Sequence, residues 1–182
     1  MNVMLLAAGM GTRLRPYTEV MPKPAIPFLT VPLACYSLAL LEKINIKNLV
    51  VNTHYRPEQV EQLFYQINWP CNKLIFSEER TQILGSGGGI RQAIDSLVGK
   101  GSFIVANADE VILPDYSDII SDALAFHKAH AGLATIMTIP HAEVGKKFGG
   151  LWLKVTTEKS TKVTCFSKTP VPDHDGRHYV GI

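Results

Sequence analysis

The sequence predicts an α/β fold built on a parallel sheet. Short apolar, β-rich runs alternate with segments of helical period along most of the chain, and those runs lack the in–out alternation of a half-exposed strand. Residues 2–6, 48–52, 73–77, 102–107 and 133–139 read as strands buried on both faces. Residues 31–44, 57–67, 86–98 and 116–130 read as helices, with Pro32 and Pro57 in first turns, where a missing N–H is harmless. A βαβα series of this kind twists into a parallel sheet with helices on both faces. Ligands of such sheets bind beyond the carboxyl ends of the strands, which puts the loops 7–15 and 108–110 at one rim. After Pro140 the character changes: 148–155 and 161–166 read as a smaller β-rich flap and 178–182 as a last strand, so the expected sheet is mixed and mainly parallel. No internal repeat, low-complexity tract or linker divides residues 1–182, and a single domain is expected.

Composition narrows the function. Of 182 residues, 46% are hydrophobic, enough for one sizeable core. Eighteen basic residues stand against 16 acidic ones, a net charge of +2, without the basic stripe of a nucleic-acid or membrane binder. No apolar run approaches the roughly 20 residues that span a bilayer. The N-terminus Met1-Asn2-Val3-Met4 carries no basic n-region and leads into a glycine-rich loop, unlike a signal peptide. Cys35, Cys71 and Cys165 are odd in number and far apart; they read as buried small hydrophobes, and a cytoplasmic protein is expected.

The segment Leu5-Leu6-Ala7-Ala8-Gly9-Met10-Gly11-Thr12-Arg13-Leu14-Arg15-Pro16 carries most of the chemistry. A hydrophobic strand delivers two glycines, whose backbone N–H groups can approach phosphate closely. A dinucleotide fingerprint fails at Leu14, where a small residue is needed, and a P-loop fails for want of Gly-Lys-Ser/Thr. Arg13 and Arg15 follow, then Met21-Pro22-Lys23-Pro24 in a proline-stiffened loop. The second glycine-rich stretch, Gln82-Ile83-Leu84-Gly85-Ser86-Gly87-Gly88-Gly89, joins a strand to a helix. Consecutive glycines are poor helix interior, so they are expected in the first turn with Ser86 as N-cap, where a flat base can lie against bare backbone. Asp109 ends the strand 102–107 at the phosphate rim, placed as a Mg²⁺ carboxylate; Asn107 is expected to tie that loop down and Glu110 to point elsewhere.

Gly-x-Gly-Thr-Arg-Leu-x-Pro followed by Pro-Lys-Pro resembles the signature of the sugar-1-phosphate nucleotidyltransferases. The Ser-Gly-Gly-Gly-Ile stretch is similar to the branch with N-acetylmuramate-1-phosphate uridylyltransferase and the mannose- or heptose-1-phosphate guanylyltransferases. The resemblance implies a Rossmann-like, glycosyltransferase-A-type sheet and transfer of a nucleoside monophosphate from UTP or GTP to a sugar 1-phosphate. A phosphate monoester, with its second pKa near ~6, attacks already ionised, so the need is for cations rather than a base. By the same resemblance Arg13 serves the triphosphate and its leaving group, and Lys23 bridges the α-phosphate and the attacking phosphate. Arg15 reads equally as a phosphate ligand or a solvated side chain. Ala7, Ala8, Gly9, Gly11, Thr12, Gln82, Ser86, Gly87 and Gly88 would line the nucleotide, Asp109 would hold Mg²⁺, and Gly149 and Lys168 would face the sugar phosphate. Lys168 lies in Ser167-Lys168-Thr169-Pro170, which departs from the family's Glu-Lys-Pro. His54 reads as a hydrogen-bonded structural histidine. The family's second acidic metal ligand follows the last strand seen here, so the resemblance implies a C-terminally short domain. The alternative is an inactive or truncated nucleotide-binding domain. Oligomeric state is left open.

Overall fold

The computed structural model describes residues 1–99, 101–116, 118–154 and 162–182. They form two compact units, Met1–Ala125 and Phe126–Ile182. In chain order the first unit holds β1 (Asn2–Leu6), β2 (Pro27–Phe28), β3 (Val31–Pro32), α1 (Leu33–Ala39), β4 (Asn48–Thr53), α2 (Pro57–Ile67), β5 (Lys73–Glu78), α3 (Gly85–Gln92), α4 (Ile94–Leu97) and β6 (Phe103–Asn107). Helix α5 (Ile119–His130) spans the boundary, and the second unit continues with β7 (Thr138–Pro140), β8 (Gly150–Lys154), β9 (Val163–Ser167) and β10 (His174–Tyr179).

The first unit is a parallel sheet in the order β5-β4-β1-β6. Its central strands β1 and β4 are apolar on both faces because both are covered: Val3, Met4, Leu5, Val50 and Val51 are fully buried. The edge strands β5 and β6, expected to be buried on both faces, are half-buried over much of their length because each has a neighbour on one side alone. On one face Met4 and Val50 pack against Ala93 and Leu97, with Ile75, Ile90 and Val105 around them. On the other, Leu49 and Leu74 line one groove with Phe64 of α2. Val60, Leu63 and Phe64 are the buried stripe of that helix, at the spacing a 3.6-residue period dictates. Pro57 starts it at N1, and left-handed Asn68 ends it by donating its N–H to the Phe64 carbonyl. In the register, Leu6 stands opposite both Asn52 and Asn107, so the loops after β1, β4 and β6 leave from one rim.

The second unit is an antiparallel sheet in the order β7-β10-β8-β9. Trp152 fills its middle at 5% exposure. The indole N–H donates to the Ser167 carbonyl at 3.2 Å. A Cβ at Gly176 would come within 2.8 Å of that ring, so only glycine lets the β10 backbone pass it.

Several expectations are corrected. The strand expected over 133–139 is β7 alone, and it pairs antiparallel with β10 rather than extending the parallel sheet. An apolar run is compatible with strand, but backbone pairing decides it, and Leu133 is wholly exposed. Val31 and Pro32 belong to a short hairpin with Pro27 and Phe28, and Pro32 is the N-cap of α1 rather than a first-turn residue. The helix expected over 86–98 breaks at Ala93 into α3 and α4. The last strand is His174–Tyr179, not 178–182. Within the expected elements, residues 117, 155 and 161 lie outside the described residues. The three cysteines are free and half-buried rather than buried. Burial pushes the Cys35 and Cys71 thiols up from their ordinary value. Among the described residues no helix is long and apolar enough to cross a membrane.

Candidate functional site

The first glycine-rich loop is anchored residue by residue. The Leu6 carbonyl accepts the Ala108 N–H at 3.0 Å, joining the loop after β1 to the loop after β6. Ala7 and Ala8 turn their methyl groups into the core, at 3% and 6% exposure. The Ala7 N–H is taken by Asn52 Oδ1 at 2.7 Å. Gly9 lies open, with nothing within 4 Å of where a side chain would stand. Gly11 is left-handed, φ 61°, and its carbonyl accepts from the Leu14 N–H at 2.9 Å and from Thr18 Oγ1 at 3.0 Å. Tyr55 Oη in turn holds the Thr18 carbonyl at 2.7 Å.

The single 3-10 turn Thr12–Leu14 that follows Gly11 lifts Thr12 and Arg13 into solvent. Among the described residues the guanidinium groups of Arg13 and Arg15 have no ion-pair partner, so both are available to an anion. After a 3-10 turn at Tyr17–Glu19, Lys23 opens a third between Pro22 and Pro24, and a Cβ at Gly11 would lie 3.2 Å from Lys23 Cβ. Gly11 is thus required twice, by its positive φ and by the 2.7 Å that a Cβ would keep from Thr18 Cγ2. Gly11→Ala is expected to cost about 2–4 kcal/mol, left-handed strain plus overpacking, read as a lower urea midpoint. A change below about 0.5 kcal/mol would sink the assignment of that turn.

Lys23 Nζ is paired with Asp109 Oδ2, with both side chains largely sheltered at 28% and 18% exposure. The proposed phosphate cation and the proposed metal carboxylate are therefore one pair, brought together from the loops after β1 and β6. Asn107 does tie its loop down: its Nδ2 donates to Glu110 Oε1 at 3.0 Å. Ser37 Oγ of α1 donates to the Glu110 carbonyl at 3.3 Å. Among the described residues no three His, Cys, Asp or Glu side chains gather as a protein-only metal cage. A lone rim carboxylate suits Mg²⁺, which completes its shell with phosphate oxygens and water.

The second loop departs from expectation in one respect. Helix α3 begins at Gly85 after Leu84, so Ser86 sits inside the first turn and caps nothing. Leu84 is the N-cap residue, with no side chain bonded to the first turn, and its own N–H donates to Glu79 Oε2 at 2.7 Å. Gln82, Ser86 and Gly87 are exposed, and the space beside Gly87 is open. Gly88 is crowded by Leu84, whose Cβ would be 2.7 Å away. His54 Nδ1 lies 2.6 Å from the Glu79 carbonyl, the hydrogen-bonded structural role expected of it. In the second unit Gly149 and Lys168 are neighbours, with Lys168 Cγ 3.5 Å from a Cβ at Gly149. Asn52, Glu79 and Thr18 are site residues the motifs did not flag.

The nucleotidyl transferase family model matches residues 2–175. The chain belongs to the nucleotidyl transferase family. Among its relatives, the probable mannose-1-phosphate guanylyltransferase 2 of Arabidopsis thaliana is 31% identical over 175 residues, covering 93% of this chain and 46% of that protein. The mannose-1-phosphate guanylyltransferase catalytic subunit beta of Dictyostelium discoideum is 32% identical over 170 residues, 93% of this chain and 45% of its own. The chain spans about half the length of the curated relatives it matches. Among solved structures, a UDP-glucose pyrophosphorylase complexed with UDP-glucose superposes with a TM-score of 0.76 at 20% identity, over 99% of this chain and 74% of that one. HddC from Yersinia pseudotuberculosis complexed with GMP-PN gives 0.65 at 22% identity, over 99% and 73%. At these identities the structures speak for the fold, which is that of the nucleotidyl transferases.

Proposed function

We propose that this nucleotidyl transferase chain is one domain that transfers a nucleoside monophosphate from a triphosphate to a sugar 1-phosphate, releasing pyrophosphate. The observation that carries the reading is the Lys23–Asp109 pair set against the Gly11 turn, with Arg13 free beside it. A sugar-phosphate oxygen forms the new bond to the α-phosphorus, and the bond from that phosphorus to the β-phosphate oxygen breaks. Lys23 steadies the α-phosphate and the incoming oxygen. Arg13 takes charge building on the leaving pyrophosphate. Gly9 and Gly11 let backbone approach the phosphates; Thr12 flanks them. Gln82, Ser86, Gly87 and Gly88 border the base. Ala7 and Ala8 act through backbone, and with its N–H held by Asn52, Ala7 has only its carbonyl to offer. Gly149 and Lys168 meet the sugar phosphate. Asp109 holds Mg²⁺, which neutralises phosphate charge when bound. Since the relatives are named for mannose 1-phosphate and GTP chemistry, GTP with mannose 1-phosphate is the first pair to test, and UTP with glucose 1-phosphate the second.

The deciding experiment is thermal unfolding with each of the four nucleoside triphosphates, with and without Mg²⁺, followed by a pyrophosphate-release assay. A triphosphate at 100 times its Kd should add about 2.7 kcal/mol of stability. Stabilisation by none of the four would overturn the reading. The second reading is a nucleotide-binding domain without turnover. That reading wins if a triphosphate stabilises the chain and no sugar phosphate yields pyrophosphate.

A further inference from the structure

We infer that Glu79 and Asn52 are positioning residues that lock the two glycine-rich loops into one geometry, through a hydrogen-bond chain whose polarity requires a carboxylate at position 79. The consequence for nucleotide rests on the function proposed above; the clamp itself does not.

The chain has three links of equal length. The Ala7 N–H donates to Asn52 Oδ1, Asn52 Nδ2 donates to Glu79 Oε1, and the Leu84 N–H donates to Glu79 Oε2, each at 2.7 Å. Both ends are backbone N–H groups, which cannot reverse. An amide accepts at one end and donates at the other. Asn52, having accepted from Ala7, must donate onward, so residue 79 receives a donor from each side. A carboxylate accepts on both oxygens; a glutamine cannot. Asn52 and Glu79 are 3% and 2% exposed, so water does not stand in for a missing partner.

The clamp is fixed from below. The Glu79 N–H donates to the Thr53 carbonyl at 2.7 Å, and its carbonyl lies 2.6 Å from His54 Nδ1. Ala7 leads directly into Gly9 and Gly11, and Leu84 directly precedes Gly85. Gly89 leaves room for the bridge, since a Cβ there would stand 2.7 Å from Glu79 Oε1 and 2.8 Å from Asn52 Nδ2. The two loops, proposed for phosphate and for base, are thus set by one buried pair that touches neither ligand.

The polarity argument predicts its own rescue. In E79Q the new amide must point a donor at either Asn52 or Leu84. In N52D two carboxylates face each other. The double variant N52D/E79Q satisfies every link again, with the new carboxylate at 52 accepting from Ala7 and from the new amide at 79, whose oxygen accepts from Leu84. Amide hydrogen exchange, read without ligand, should quicken at Ala7, at Leu84 or at both by about tenfold or more in each single variant. In N52D/E79Q both amides should return to within about threefold of the unmodified chain, a margin of less than 1 kcal/mol. The Kd for Mg-GTP and for Mg-UTP, measured by calorimetry at a temperature where all variants are folded, should follow the same order. A merely structural contact would not be rescued by a swap that keeps both mutations. Exchange in E79Q equal to the unmodified chain, or a double variant no better than the worse single, overturns the clamp. Restored exchange without restored affinity overturns its positioning role. If E79Q does not fold, a folded N52D/E79Q with protected amides supports the inference and an unfolded one overturns it. If the unmodified chain binds neither triphosphate, the proposed function fails, and the exchange pattern alone upholds or overturns the clamp.

Discussion

If the proposed function holds, Lys23→Met is expected to lower the rate of pyrophosphate release about 10²–10³-fold, the usual loss when one positioned charge is removed from a transferring group. Lys23 sits at the rim in a turn between two prolines, and no core contact depends on its ammonium. Methionine keeps the stem and removes the charge. The melting temperature should therefore move little, since a partly exposed ion pair contributes about 0–1 kcal/mol. The Kd for the triphosphate should change only a few-fold, because Gly9, Gly11 and Arg13, the other groups proposed to hold the phosphates, remain. Pre-steady-state turnover compared with equilibrium binding separates the two effects. A rate within tenfold of the unmodified chain would remove Lys23 from the chemistry and leave its pairing with Asp109 as a structural ion pair.

Gly89→Ala is expected to cost about 2–4 kcal/mol of stability, or roughly 10 °C in melting temperature. The new methyl group would enter the space of the Asn52–Glu79 hydrogen bond, whose atoms lie 2.8 Å and 2.7 Å from it. Those side-chain ends are pinned by backbone partners, so they cannot swing aside without leaving a buried donor unpaired. A helix ordinarily gains about 1 kcal/mol from Gly→Ala, which offsets only part of this. Gly87→Ala is the control from the same triplet. Nothing lies within 4 Å of its missing side chain, so its stability should hold, while the methyl group intrudes where the base is proposed and weakens nucleotide binding. Equal melting temperatures for the two variants would contradict the packing described beneath Gly89.

Much of this protein was legible before any coordinates. The central strands β1 and β4 announce themselves as apolar runs because burial on both faces leaves no room for polar alternation, whereas β5 at the sheet edge is only half-buried and β6 alternates buried with half-buried residues. Gly9, Gly11, Arg13 and Lys23 are legible because their chemistry depends on near neighbours: a strand end, a tight turn, two prolines. Asp109 follows from its place after β6, and the parallel register brings it to Lys23. Other features were out of reach. Ser86 looks like an N-cap, yet Leu84 takes that position and its N–H is held by Glu79, a residue that no motif singles out. Residues 133–137 look like a strand, yet the backbone of 138–140 is what β10 pairs. The division has one physical cause. Periodicity, turn propensity and motif chemistry are properties of residues close in sequence, so the sequence by itself determined the strand–loop–helix order and the cations at the rim. The clamp joins Ala7 to Asn52 across 45 residues and Asn52 to Glu79 across 27, and such polar partners meet only when the sheet has set their strands side by side.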